Sequence, residues 1–229
     1  MKTLVFNTIP IVSQSKASVK SYLMNRMKTA EPFLPVVTFN ITMINSHSKE
    51  LFAWLKKRSL FTPDGIGVCI GMFLQHFKWV NRYAGIDMVM DILKQSQTTL
   101  RVALIGSTSD VVAATASFVT SLGHTVVFEK DGYSHFEETD FNALKDYQPQ
   151  LVLVAKGVPK QEAFMFELAN YLQTGVAIGV GGSFDVWAGQ IKRAPYIWRM
   201  LGLEWLYRAL KEPVRFRRIG AGILAMFRG

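Results

Sequence analysis

The segment Gly181-Gly182-Ser183-Phe184-Asp185-Val186-Trp187-Ala188-Gly189-Gln190-Ile191-Lys192-Arg193-Ala194-Pro195 gathers a carboxylate, a flat indole ring and two adjacent cations behind a pair of glycines. Glycines at the end of a strand let a ligand approach the backbone closely. A nucleotide diphosphate would use all of these. A tight turn with a core Trp is the plainer use of the same residues. Three more segments have related character. Thr62-Pro63-Asp64-Gly65-Ile66-Gly67 holds Asp64 between a proline and a glycine, hence on a turn. A carboxylate kept in a crevice can take a proton from a sugar hydroxyl; a carboxylate on a turn can also merely cap the helix that starts near Val68. In Lys156-Gly157-Val158-Pro159-Lys160-Gln161-Glu162, Gly157 ends a strand and Pro159 suits the first helical turn. The free N–H groups of that turn favour an anion, and Gln161 and Glu162 can reach sugar hydroxyls. Glu162 can equally serve only the helix dipole. Last, Thr38-Phe39-Asn40 ends a strand and opens a helix from about Thr42, so Thr38 and Asn40 either cap that helix or contact a sugar.

These segments need a scaffold that brings them to one place. Apolar runs at 36–40, 101–106, 151–155 and 176–180 read as strands buried on both faces, with 124–128 a fifth. Stretches of helical length lie at 109–122, 141–146 and 160–172. The first thirty or so residues hold a strand or hairpin and a helix. Alternation of strand and helix predicts an α/β fold, a doubly wound, mostly parallel, Rossmann-like sheet. Ligands of such sheets bind outside the carboxyl ends of the strands, where Asn40, Gly106, Gly157 and Gly181 would gather.

The chain has 229 residues, 49% hydrophobic and 19% charged, which suits one large domain with an appendage. The expected division is 1–195 for the α/β body and 196–229 for a basic, amphipathic helical tail. One cysteine, Cys69, excludes a disulfide framework within the chain. The histidines His47, His76, His124 and His135 lack ligand spacing, so no metal site is expected. The N-terminus lacks a signal-peptide pattern and no apolar stretch approaches the roughly 20 residues of a membrane span, which predicts a cytosolic body. The net charge is +9, and the tail from Lys192 onward holds nine Lys/Arg against two Glu. That concentration points to phosphate-bearing partners: a lipid diphosphate, an anionic membrane or a nucleic acid. Apolar residues at Leu201, Trp205, Leu206 and Leu210 form a helical stripe over 198–210. Beyond Pro213, Arg215-Phe216-Arg217-Arg218 is followed by an apolar run at 219–227 closed by Arg228, and basic and apolar faces together read as an interfacial helix.

Together the segments resemble the WecG/TagA/CpsF family of bacterial glycosyltransferases over about 36–218. The resemblance is carried by Thr38-Phe39-Asn40, Pro63-Asp64-Gly65-Ile66-Gly67, Arg82-Tyr83-Ala84-Gly85-Ile86-Asp87, Asp131-Gly132-Tyr133, Gly157 to Glu162, Gly181 to Pro195, Gly202-Leu203-Glu204-Trp205-Leu206-Tyr207-Arg208 and Glu212-Pro213-Val214-Arg215. It implies an inverting transferase that moves a sugar from a UDP-sugar to an undecaprenyl-diphosphate-linked acceptor at the cytoplasmic membrane face. The sugar would be N-acetylmannosamine or its uronic acid, added to lipid-linked N-acetylglucosamine in cell-surface polysaccharide or teichoic acid synthesis. A glucosyl or other hexosyl transfer on the same scaffold is the alternative.

The resemblance assigns Asp64 as general base, with Thr38 and Asn40 lining the same pocket, and Gly182, Ser183, Phe184 and Asp185 at the UDP site. Arg82 is a further catalytic candidate, and Gly106, Tyr133, Gly157, Pro159, Gln161, Glu162, Lys192 and Arg193 are further candidates around the UDP-sugar. Arg208, Arg215, Arg217 and Arg218 would meet phosphate or lipid. No Asp-x-Asp element marks a metal-dependent diphosphate site, so no cofactor is expected. Helix N-termini and arginines would stabilise the leaving group instead. Three departures bear on donor and acceptor choice: Asn81 ahead of Arg82, Ser107-Thr108-Ser109 after Gly106, and the acid-free Thr42-Met43-Ile44-Asn45-Ser46-His47. Two other classes remain to compare. Gly106-Ser107-Thr108-Ser109 is not a dinucleotide fingerprint, which argues against an NAD(P)-dependent oxidoreductase. A nucleic-acid-binding module would explain the basic tail but not its apolar residues, so nucleic acid is not an expected partner. A homo-oligomer stays open.

Overall fold

The computed structural model describes residues 1–211 other than 30, 45 and 47, together with 216, 220 and 224. The chain opens with a hairpin of β1 (Thr3–Phe6) and β2 (Ile9–Val12), whose two-residue turn puts Asn7 and Thr8 at positive φ. Then follow α1 (Lys16–Lys28), β3 (Leu34–Phe39), a 3-10 turn (Ile41–Met43), α2 (Lys49–Arg58), β4 (Leu60–Pro63), α3 (Ile66–His76) and α4 (Gly85–Gln95). The second half runs β5 (Arg101–Gly106), α5 (Ser109–Ser121), β6 (Thr125–Lys130), α6 (Glu138–Tyr147), β7 (Leu151–Ala155), α7 (Lys160–Leu168) and β8 (Val176–Gly179). Three short helices follow: α8 (Ser183–Trp187), α9 (Tyr196–Met200) and α10 (Glu204–Lys211).

The strands form one eight-stranded sheet in the order β1-β2-β4-β3-β8-β7-β5-β6, parallel throughout except for the β1–β2 edge. This is the doubly wound sheet expected from the sequence. Successive strand residues point to opposite faces, so each central strand feeds two cores. Val36, Leu104, Leu153 and Ile178 face a layer built by α1, α4, α5 and α8. Val37, Ile105, Val154 and Ala177 face a layer built by α2, α3, α6 and α7.

Several elements differ from the sequence expectation. Thr62 and Pro63 belong to a strand, β4, not a turn; Pro63 is its last residue and its carbonyl accepts the Tyr83 N–H at 2.7 Å. A proline at a strand end removes no ladder bond, so the strand survives it. The helix expected from Thr42 is only the 3-10 turn, and α2 starts at Lys49. The stripe over 198–210 is split into α9 and α10 by Gly202 at φ +72°. The helix over 160–172 ends at Leu168.

Strand registers align the carboxyl ends at one edge: Phe39 pairs with Pro63, Gly106 with Ala155 and Val154 with Gly179. β8 sends α8 to one layer, while its neighbours β3 and β7 send their helices to the other. The loops therefore diverge on both sides of β8 and open a crevice there.

Candidate active site

Asp64 stands directly beyond β4. Its backbone N–H donates to the Phe39 carbonyl at 2.9 Å, which extends the β3–β4 pairing by one bond and fixes the loop. The glycines after it allow close packing against the loop at 40–41. A Cβ on Gly65 would sit 3.2 Å from Asn40 Cβ, and one on Gly67 would sit 2.9 Å from Ile41 Cδ1. Asp64 is half-buried and lies beside the loop that carries Asn40. Arg82 closes the group: it donates through Nη1 to the Asp64 carbonyl at 3.5 Å and through Nη2 to the Arg199 carbonyl at 3.1 Å, at the end of α9.

Thr38 and Asn40 have distinct partners. Asn40 Oδ1 accepts from the Thr42 N–H at 3.1 Å and its hydroxyl at 2.6 Å, so it caps the 3-10 turn. Thr38 caps nothing: its hydroxyl donates to the Gly179 carbonyl at 2.8 Å, joining β3 to β8 beneath the crevice floor. Thr38 is buried, and its methyl group packs where Gly85 leaves room.

The loop after β8 is fastened from below. Gln161 is engaged at both ends of its amide: its Oε1 accepts the Gly181 N–H at 3.1 Å and its Nε2 donates to Glu162 Oε1 at 2.8 Å. Gln161 and Glu162 are both buried, so in this structure they shape the loop from within rather than line the open crevice. Pro159 is the N-cap of α7 rather than a first-turn residue, and the Val158–Pro159 peptide is cis. The Ser183 hydroxyl donates to the Val180 carbonyl at 2.7 Å. Phe184 is fully buried in the core, its ring centroid 6.0 Å from that of Trp187. Trp187 takes the plainer of its two readings: it packs against the core and stacks on Phe118 with ring centroids 6.4 Å apart. Gly182 and the half-buried Asp185 remain at the crevice, where Asp185 accepts from the Ser107 hydroxyl at 3.3 Å.

Gly106, at φ +129°, could not carry a side chain, since a Cβ there would lie 2.4 Å from the Ala155 backbone. Ser107 is itself left-handed, at φ 58°. Beside it, the Asp131 carboxylate accepts from the Ser134 hydroxyl and from the Ser134 and Tyr133 N–H groups, which holds its pKa down at about 2. Tyr133 is 84% exposed on this loop. Gly157, at φ +70°, has open space around it. Lys156, which precedes it, has its ammonium 4.7 Å from the Phe164 ring centroid; burial pushes its pKa down, and the field of Asp131 partly offsets that. Lys156 and Ser107 each follow the last residue of a central strand, β7 and β5, at this edge.

Lys192 is exposed beyond α8. Arg193 pairs with Asp87 at 2.6 and 2.9 Å, and its Nε lies 3.5 Å from Glu204 Oε1. Burial raises the Asp87 carboxyl, but Arg193 outweighs that and the net direction is down. Arg193 therefore binds α4 and α10 to the body in this structure. Arg215, Arg217 and Arg218 lie outside the described residues, as does the side chain of Arg208.

The helix N-termini at this edge fall into two groups. Helices α1, α2 and α6 are capped by side chains: Ser15, Ser48 and a Glu137–Asp140 capping box. Helices α3, α4, α5 and α7 have no side-chain cap bond. First-turn N–H groups without such a bond are donors for an anion. Among the described residues no three His, Cys, Asp or Glu are grouped to hold a metal ion. A groove of about 810 Å³ between α5 and β6 and a cleft of about 470 Å³ at the amino edge include none of these crevice residues.

A profile of the glycosyl transferase WecG/TagA/CpsF family matches residues 5–228. Three curated relatives carry the name N-acetylglucosaminyldiphosphoundecaprenol N-acetyl-beta-D-mannosaminyltransferase. The Bacillus subtilis (strain 168) protein is 30% identical over 96% of this chain and 88% of its own length. The Bacillus spizizenii protein is 32% identical over 96% and 87%, and that of Staphylococcus aureus (strain MW2) is 31% identical over 94% and 85%.

Proposed function

The chain belongs to the glycosyl transferase WecG/TagA/CpsF family, and we propose that it transfers an N-acetylmannosamine-type sugar from a UDP-sugar to undecaprenyl-diphosphate-linked N-acetylglucosamine. The observation that carries this reading is the meeting of Asp64, Asn40 and Arg82 at a parallel-sheet edge where α3, α5 and α7 lack side-chain caps. A base and an anion-binding wall are what transfer from a diphosphate requires.

The chemistry is a single displacement. Asp64 takes the proton of the acceptor hydroxyl as that oxygen bonds to the anomeric carbon. The bond from that carbon to the UDP oxygen breaks, and its electron pair leaves with the diphosphate. Inversion follows from attack opposite the leaving group. Charge on UDP is met by helix N-termini, Lys156 and Arg82, with tail arginines joining from the membrane side. In this reading the reaction needs no metal ion. The enzyme works on the inner face of the cytoplasmic membrane, held by its basic tail to anionic lipid. Among the described residues no helix is long and apolar enough to cross a membrane.

The test measures UDP release with a short-chain lipid-diphosphate N-acetylglucosamine and a panel of UDP-sugars. Release that needs both acceptor and one N-acetylmannosamine-type donor supports the reading. Release with a UDP-hexose alone replaces the donor, and no release with any donor rejects it. Turnover should be undiminished in excess EDTA; loss restored by Mg²⁺ rejects the metal-free part.

A further inference from the structure

Helix α3 is apolar on both sides. Val68, Cys69 and Met72 face the core, as a surface helix requires. Its opposite side carries Ile70, Phe73, Leu74 and Phe77 at i, i+3, i+4 and i+7, and all four are exposed, as is Trp79 just beyond. The rings of Phe77 and Trp79 gather around Phe73, at 6.3 and 6.4 Å between centroids. Contiguous exposed apolar surface of this kind marks a contact site.

Phe77 is the most telling of these residues. It is the C-cap of α3, with φ 51° and ψ 28°, a left-handed conformation suited to Gly or Asn. It is also 85% exposed. A bulky aromatic residue at this position is unfavourable twice over in the isolated molecule, by backbone strain and by hydration. Folding alone gives no reason for it.

The surroundings indicate the partner. From Gly65 to Ile86 the sequence contains no Asp or Glu, while Lys78 and Arg82 lie within it. Lys56 reaches Thr8 Oγ1 at 3.1 Å, in the hairpin turn that also bonds Gln75 of α3, so a cation borders the end of the stripe. The other end of α3 meets Gly202, which packs against Ile66, and there Ile197, Met200 and Leu201 are exposed too. Aromatic side chains beside cations, on a stretch of chain without acids, match the headgroup zone of an anionic bilayer.

We propose that the outer face of α3, Ile70 to Trp79, inserts into the interfacial layer of an anionic membrane. α3 begins at the Asp64–Gly65 turn, so its insertion sets the height of the crevice mouth above the lipid. The proposal rests on the transferase reading only for its placing of a lipid-borne acceptor at that mouth.

The experiment compares the full-length chain with Phe77→Asn and with the double variant Phe77→Asn/Trp79→Ser, using co-sedimentation with phosphatidylglycerol and phosphatidylcholine vesicles. Tyr147→Ser, an exposed aromatic residue on α6, is the control. Phe77→Asn should melt at or above the wild-type temperature, because Asn accepts the left-handed cap. The double variant should bind phosphatidylglycerol vesicles at least about tenfold more weakly, the control should not, and wild type should prefer the anionic vesicles. Unchanged vesicle binding by a folded double variant overturns the proposal. So does a shift from oligomer to monomer with vesicle binding retained, which would make the stripe an interface between copies. Transfer to a short-chain, water-soluble acceptor should stay within about twofold of wild type. If wild type makes no transfer at all, the transferase reading fails while the vesicle comparison still decides this one.

Discussion

Thr38 and Asn40 stand two residues apart and have opposite assignments in the structure. Both residue types suggest a cap or a sugar contact, and the sequence offers no means to choose. The choice depends on Gly179, which is 141 residues away from Thr38 in the chain and 2.8 Å from its hydroxyl. Thr38→Val leaves that buried carbonyl without its donor. It should cost about 1–3 kcal/mol in urea unfolding with little change in KM; a raised KM without loss of stability would make Thr38 a substrate ligand. Asp64→Asn should fold with an unchanged melting temperature and lose at least ~10²-fold in kcat, measured by UDP release. A fully active Asn variant would leave Asp64 as a turn residue. The loop position of Asp64, between β4 and α3, was legible because Pro63 and Gly65 announce a break. The burial of Phe184 was not, because nothing in Gly-Gly-Ser-Phe-Asp tells which side chain points into the core.

At the scale of elements, strands buried on both faces declare themselves as apolar runs, and β5 and β7 begin and end where their runs do. β4 is hidden by its terminal proline. α4 carries Met88, Val89, Ile92 and Leu93 on one buried side, yet it escapes a reading that follows apolar runs from strand to strand. Its first turn is also tied to Arg193, whose pairing with Asp87 and Glu204 no local pattern reveals. Arg193→Ala should destabilise the protein by roughly 1–3 kcal/mol, below the cost of breaking a fully buried pair because Asp87 is partly open to solvent. The pH dependence has a definite sign. The Asp87 pKa is lowered by folding, so the pair contributes fully at neutral pH and is lost as pH falls below about 4 through the folded value. Urea midpoints of wild type and Arg193→Ala should converge over that range.

For the molecule as a whole, the charge is divided unevenly: residues 192–229 carry nine of the 26 Lys/Arg and only two of the 17 Asp/Glu. Composition shows this directly, but the apolar face of α3 appears only once the core side is known. The buried Cys69 gives a global probe. Burial drives its thiol pKa up to about 11, with Arg82 pulling slightly the other way. Maleimide labelling of the native protein at pH 7.5 should be at least ~10²-fold slower than in urea; rapid native labelling would show that α3 opens locally. The place of β8 has a further consequence. The last strand made sits between β3 and β7, in the middle of the sheet. Before Val176–Gly179 leaves the ribosome, the nascent chain holds two partial sheets, each with a bare inner edge. Neither can close on its own, and pairing those two edges directly would give a misfolded, seven-stranded product. Chaperones that shield strand edges would therefore matter most late in translation, just before β8 emerges.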